Sequence, residues 1–236
     1  MNGFFRMSDL FYFQLPRKIV FGNGATQKIG EEAAGMFAGA KRLLMITDKG
    51  VLKAGLTEGA TASLKKSGFD VLVFDEVVPD PPVPLVLKCT NIARKEGAQI
   101  IFGIGGGSVM DVAKAVSVMV PCDGEIYACL GSNQVKKPGL AKILVPTTAG
   151  TGSEISNSFV LTDDRSGDKI ASSSPYSFAD LSIIDPVLTM SMPPRLTAES
   201  GMDAFSHALE SFVTMRANPL SDLLSLRGIE MISQNL

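Results

Sequence analysis

Phe102-Gly103-Ile104-Gly105-Gly106-Gly107-Ser108-Val109-Met110-Asp111-Val112-Ala113-Lys114 runs from an apolar strand into a helix through three consecutive glycines. Glycine has no Cβ, so backbone N–H groups at such a turn can approach an anion closely. The first turn of the following helix adds unpaired donors and the positive end of its dipole. The stretch therefore reads as a phosphate cradle, and also, more plainly, as a tight strand-to-helix turn. Ser108 and Asp111 have the S-x-x-D spacing of a capping box, which would mark the helix start a second time. The pattern is not the G-x-G-x-x-G fingerprint, because the residue three positions after Gly105 is Ser108.

Working outward, the same alternation repeats. Strand-like runs at 18–21, 42–47, 70–74, 99–104 and 142–145 are separated by helical stretches at 25–37, 56–66, 83–96 and 108–120. Apolar runs alternating with helices predict βαβ units, hence an α/β fold with a mostly parallel sheet. In such sheets ligands sit beyond the carboxyl ends of the strands. Asp48 follows the 42–47 run directly. A carboxylate there can accept both hydroxyls of an adenosine ribose and would repel a 2′-phosphate, or it can simply cap or turn the chain. Asp80, within Val77-Val78-Pro79-Asp80-Pro81-Pro82, suits a rigid turn.

Pro146-Thr147-Thr148-Ala149-Gly150-Thr151-Gly152-Ser153-Glu154 places four hydroxyls and two glycines after a strand. Such a loop can donate to ribose, phosphate or carboxamide, while Thr151 and Glu154 also have capping-box spacing. A hairpin is expected from 159–161 and 169–171, turned at 163–167; Lys169 on it can reach a cofactor or stand in solvent. A further strand, 181–184, ends at Asp185-Pro186. After Pro193-Pro194 the character becomes helical. The helix predicted over 197–213 carries Met202, Phe205, Leu209 and Phe212 as an apolar stripe, with Asp203, His207 and Glu210 elsewhere. Asp203 and His207 are one turn apart and can share a divalent ion, although the spacing alone also fits an ordinary helical pair. A last helix is expected over 220–232. The expected division is an α/β nucleotide domain at 1–185 and the beginning of a helical domain at 186–236.

Composition narrows the function. Of 236 residues, 45% are hydrophobic and 19% charged, with a formal charge of −2. This is an enzyme-like balance without the basic footprint that nucleic acid requires. Three scattered cysteines, with no C-x-x-C and one histidine in the chain, argue for reduced thiols in a cytoplasm and against a zinc knuckle. Met1-Asn2-Gly3-Phe4-Phe5-Arg6 lacks the pattern of a secretory signal, and no apolar run approaches the ~20 residues of a membrane span.

Taken together the motifs resemble the iron-containing alcohol dehydrogenase family, which shares its fold with glycerol dehydrogenase and dehydroquinate synthase. Ser182-Ile183-Ile184-Asp185, Pro193, Ala198, Ser200, Asp203-Ala204-Phe205 and Glu210 fit its first signature, and 105–114 and 146–154 look like its GGGSxxDxAK and PTTAGTGSE motifs. The resemblance covers nearly the whole chain. It implies a Rossmann-like dinucleotide-binding domain followed by an all-helical metal-binding domain, and oxidation of a small alcohol, or reduction of an aldehyde or ketone, with NAD rather than NADP.

By the same resemblance Asp48 holds the adenosine ribose, and Gly105, Gly106, Gly107 and Ser108 hold the pyrophosphate, with Asp111 in the same cofactor motif. Thr147, Thr148, Thr151 and Lys169 line the nicotinamide side. Asp203 and His207 look like the first two ligands of a divalent metal, Fe2+ with Zn2+ as the alternative. A homodimer is implied, without nucleic-acid or membrane partners. Asp80 stands where the family often has Asn, which puts a negative charge near the cofactor.

The family carries two further histidine ligands, and here His207 is the only histidine. A catalytic divalent site uses about three protein ligands. The chain is therefore expected to be the front portion of a longer enzyme, with little turnover of its own and an exposed apolar face on the 197–213 helix. Two rivals remain: a polyol dehydrogenase or dehydroquinate synthase-type lyase on the same fold, and a nucleotide-binding fragment without activity.

Overall fold

The computed structural model of the chain describes residues 10–122 and 124–236; Met1 to Arg6, read above for a signal, lie outside them. The described residues fall into two compact units, one formed by 16–148 and 152–191 and the other by 10–15, 149–151 and 192–236. Asp185 and Pro186 both belong to the larger unit.

The strands of the larger unit are β1 (Lys18–Phe21), β2 (Arg42–Ile46), β3 (Asp70–Phe74), β4 (Ile100–Gly105), β5 (Ala141–Pro146), β6 (Ser158–Thr162), β7 (Lys169–Ser173) and β8 (Leu181–Ile184). Six of them form one sheet in the order β1-β8-β5-β4-β2-β3, parallel at every pairing. The remaining two are the expected antiparallel hairpin, β6 with β7. The helices are α1 (Ile29–Met36), α2 (Lys49–Lys53), α3 (Glu58–Lys66), α4 (Val83–Lys95) and α5 (Gly107–Met119).

The apolar runs of the central strands are continuous because both faces are covered. Leu44, Ile46, Ile101 and Leu144 pack with α4 and α5. Their neighbours Leu43, Met45, Ile100, Phe102, Ile104, Ile143 and Val145 pack with α1 and α3 on the other face. The chain steps across the sheet one way from β1 to β3 and returns from β3 to β5. Reversing direction while changing face keeps a single crossover hand throughout, as βαβ units require.

Local chemistry explains where the elements differ from the sequence expectation. The 25–37 segment opens as a 3-10 turn, Ala25–Lys28, before α1 begins. The short helix α2 was not expected, and Asp48 starts it as N-cap. The capping box expected at Thr151 and Glu154 caps no helix: Ile155 and Ser156 both donate to the Gly152 carbonyl, making a turn. Asp185 closes β8 by accepting from the Gly24, Thr26 and Val187 amides and from the Thr26 hydroxyl. Burial pushes its carboxyl up, but these bonds outweigh burial and hold it below the ordinary value.

The smaller unit pairs α6 (Pro194–Val213) with α7 (Pro219–Asn235). Helix α6 starts three residues before the expected Thr197 because Pro194 suits the first helical position, where its missing N–H costs nothing. Asn218 caps α7 in a reciprocal box with Ser221. The helices approach closely at Gly201, where an added Cβ would lie 2.4 Å from Leu236 Cδ1. No residue of α6 is buried, and Met202, Leu209 and Phe212 are exposed, so its apolar face stands open as expected. Among the described residues no helix is long and apolar enough to cross a membrane.

Candidate functional site

Strand order locates the site before any side chain does. From β2 the chain moves outward to β3, and from β4 it moves the other way to β5, while β2 and β4 are neighbours. That reversal is a topological switch point, and ligands of open α/β sheets bind in the crevice beyond the carboxyl ends of the strands flanking it. Asp48 follows β2 and the glycines follow β4, on the two sides of this point. Thr147 follows β5, next to β4, and its N–H donates to the Gly105 carbonyl at 2.9 Å.

The glycines divide the work. A Cβ at Gly103 would lie 2.8 Å from the Ala113 Cβ, and one at Gly105 would meet the Val109 side chain at 2.6–3.0 Å. These two residues let α5 lie directly on β4. Gly106 is different: an added Cβ would make only ordinary contact, 3.5 Å from Thr148 Cγ2. Gly106 is the N-cap of α5, and no side chain caps it. The Ser108–Asp111 capping box is therefore absent, which corrects the expectation. Thirteen residues of helix begin here with their first amides left to a non-protein acceptor or solvent, an arrangement that fits a pyrophosphate.

Asp111 is drawn elsewhere. Its Oδ1 accepts from the Ser153 hydroxyl at 2.7 Å and its Oδ2 from the Val160 amide at 2.9 Å, tying α5 to the turn before β6 and to β6 itself. Beside it, Lys114 is fully buried and donates to Ser153 Oγ (2.8 Å), Ser156 Oγ (3.1 Å) and the Ser158 carbonyl (2.6 Å). Desolvation pushes Lys114 down to about 8, and pushes Asp111 and Glu154 up. The sequence reading passed over Lys114. The available signal was a lone cation on a helix whose neighbours Val112, Ala113, Ala115 and Val116 leave no polar face.

Asp48 is half-buried, and its Oδ1 accepts from the Gly50 and Val51 amides at 2.8 and 3.0 Å. The capping role that sequence left open is thus real. Lys169, at the start of β7, pairs with Asp80 at 2.7 Å, both side chains largely exposed. Asp80 has a left-handed backbone, φ 51°, which Asn and Asp tolerate best after glycine. Its loop is fastened to the hairpin, since Thr162 N–H donates to the Pro81 carbonyl and Thr162 Oγ1 to that of Asp80. The negative charge expected near the cofactor is therefore met by a lysine. Thr148 lies beside Gly106, and Thr151 belongs to the smaller unit.

In the smaller unit His207 Nε2 lies 3.8 Å from Asp203 Oδ1, with about half of each side chain exposed. Among the described residues no three His, Cys, Asp or Glu side chains gather in a way that could hold a metal ion. The pair can supply two donors and does not form a complete site. The three cysteines carry free thiols, and burial pushes Cys89 up to about 12.

Comparison with known proteins bears on this geometry. The family model described as iron-containing alcohol dehydrogenase matches residues 16–186, and that of the family's C-terminal part matches 197–236. Long-chain-alcohol dehydrogenase 1 of Geobacillus thermodenitrificans is 42% identical over 201 residues, covering 84% of this chain and 50% of that protein. The crystal structure of a 1,3-propanediol oxidoreductase superposes with a TM-score of 0.92 at 33% identity, over 96% of this chain and 59% of that one. Sulfoacetaldehyde reductase from Bifidobacterium kashiwanohense, solved in complex with NAD+, gives a TM-score of 0.86 at 32% identity, over 95% and 59%. The chain thus spans about half the length of the curated relatives it matches.

Proposed function

The chain belongs to the iron-containing alcohol dehydrogenase family, and from that premise we propose that it binds NAD at the β2–β4 switch point, as the cofactor half of an enzyme that oxidises a small alcohol or reduces an aldehyde or ketone. One observation carries the reading: a carboxylate and an uncapped thirteen-residue helix start stand at the carboxyl ends of the two strands where the sheet reverses direction. When bound, the dinucleotide supplies the hydride acceptor.

The chain's own residues bind and orient it. Asp48 accepts from the adenosine ribose hydroxyls and repels a 2′-phosphate, which favours NAD over NADP. The backbone donors of 105–108 hold the pyrophosphate, and Thr147, Thr148, Thr151 and Lys169 line the nicotinamide side. Asp111 serves the same group indirectly, through the turn it holds. Asp203 and His207 are proposed as two ligands of a divalent ion, iron before zinc. Two donors do not hold such an ion firmly, and among the described residues no third completes the set. The relatives reported above differ in substrate, which supports a class of alcohols and aldehydes and not one compound. Reduced thiols are in keeping with a cytoplasmic protein, and a homodimer with the family.

For the 236 residues alone, the two-donor pair favours a second reading, binding with little turnover. Titration with NADH and NADPH by fluorescence, beside an alcohol-oxidation assay, tests both. NADH is expected to bind more tightly than NADPH, and Asp48→Asn, which caps α2 equally well, to narrow the gap at least threefold. Absence of NADH binding would remove the cofactor assignment; full turnover would remove the second reading.

A further inference from the structure

An ammonium group has three donors and no acceptor. At Lys114 all three are used, on two serine hydroxyls and one carbonyl of the 152–158 turn. The Ser153 hydroxyl accepts from Lys114 and donates onward to Asp111, whose other oxygen takes the Val160 amide. A single chain of bonds therefore runs from the interior of α5, through the turn, into β6. Nothing in core packing demands this, since burying a lysine costs more than burying a methionine of similar shape. The turn it fixes lies in the segment that follows β5, and Thr148 of that segment stands beside Gly106 at the uncapped start of α5. We propose that Lys114 is a positioning residue for the dinucleotide site: with Ser153 and Asp111 it holds the 152–158 turn against α5, so that the loop after β5 is already formed when the cofactor arrives.

The proposal rests on the dinucleotide reading above and deepens it. The groups facing the Lys114 ammonium are Asp111 on its own helix, Glu154 on the turn and Lys142 on β5, the last paired with Asp180. Desolvation is the largest influence on Lys114 and brings it down to about 8. The closed turn therefore releases the proton more readily than an opened, solvated one, and rising pH favours the closed turn across the interval from about 8 to 10.5.

The test combines NADH titration between pH 6.5 and 9.5 with amide hydrogen exchange over residues 153–160, on the 236-residue chain and its Lys114→Met and Ser153→Ala variants. In the unmodified chain NADH affinity should not weaken between pH 7.5 and 9.5, and protection of the 153–160 amides relative to their intrinsic exchange should rise. Lys114→Met should bind about tenfold more weakly, the equivalent of one charged hydrogen bond, with a flat profile. Ser153→Ala removes only the relay hydroxyl and keeps the test alive if Lys114→Met does not fold; it should lose about threefold. In both variants exchange at 153–160 should accelerate. Wild-type affinity in the variants, or unaltered exchange at 153–160, overturns the proposal. If the unmodified chain binds no NADH at any pH, the cofactor reading fails, and the exchange data alone decide whether Lys114 holds the turn.

Discussion

Helices α5 and α6 each carry an acid and a base within one turn, Asp111 with Lys114 and Asp203 with His207, yet the two pairs live in opposite surroundings. Ten of the thirteen residues of α5 are buried, and none of the twenty of α6. In α5 every donor of the lysine and both oxygens of the aspartate have named partners in other elements. In α6 the pair stands half-exposed at 3.8 Å, and among the described residues no third His, Cys, Asp or Glu completes a metal-holding group with it. A one-turn spacing, three residues in α5 and four in α6, thus says little. What distinguishes a fixed polar constellation from a loose one is the number of partners that other segments bring to it.

The contrast breaks most visibly at Lys114. Removing one member of a buried, hydrogen-bonded charge network leaves the other uncompensated, so Lys114→Met should cost roughly 3–5 kcal/mol in urea unfolding at pH 7. The pH dependence has a definite sign. Folding lowers the lysine from 10.5 to about 8, so between those values the unfolded chain holds a proton that the native state has released. Stability of the unmodified chain rises across that window. Lys114→Met lacks this linkage, and the stability gap should widen from pH 8 to 10.5. A gap that shrinks would mean the native lysine keeps its proton more tightly than the unfolded one.

A smaller break is available at the strand-to-helix junction. Gly105→Ala puts a methyl against the whole isopropyl group of Val109 and should cost about 1–3 kcal/mol. Gly106→Ala meets only ordinary contacts and should stay below about 1 kcal/mol in stability while weakening NADH binding. Equal losses of stability at the two sites would erase the distinction between a packing glycine and a ligand-facing one.

These glycines also show how far sequence alone reaches. The alternation of apolar runs and helices was legible, as were the parallel sheet and the hairpin, because period and turn chemistry are local. Order within the sheet was not: nothing in residues 42–47 or 99–104 says that β2 and β4 are neighbours, and the switch point between them is a property of topology. Three consecutive glycines looked like one cradle, but Gly105 answers to Val109, and Gly103, two positions before it, to Ala113, contacts visible only once α5 is laid on β4. The capping boxes at Ser108 and Thr151 failed because their acids were claimed by or placed in other structure, Asp111 by β6 and Glu154 by a turn. Lys114 was missed because a charged residue in a helix is normally solvated, and only tertiary packing of both flanks makes it a buried one.

The smallest expected effect sharpens the other side of the comparison. Leu209 on α6 is exposed to 43%, and no residue of that helix is buried. Replacing it with Gln removes little area from any core, and Gln and Leu have similar helix propensity. Leu209→Gln should therefore change unfolding free energy by no more than about 0.5 kcal/mol. Its effect belongs to association, because Met202, Leu209 and Phe212 present exposed apolar surface on one helix. Sedimentation at rising concentration should show less self-association for Leu209→Gln than for the unmodified chain, with NADH affinity unmoved. A loss of stability comparable to that of Gly105→Ala would show instead that this face is packed in solution, and α6 would then have to be grouped with α5 as a buried element.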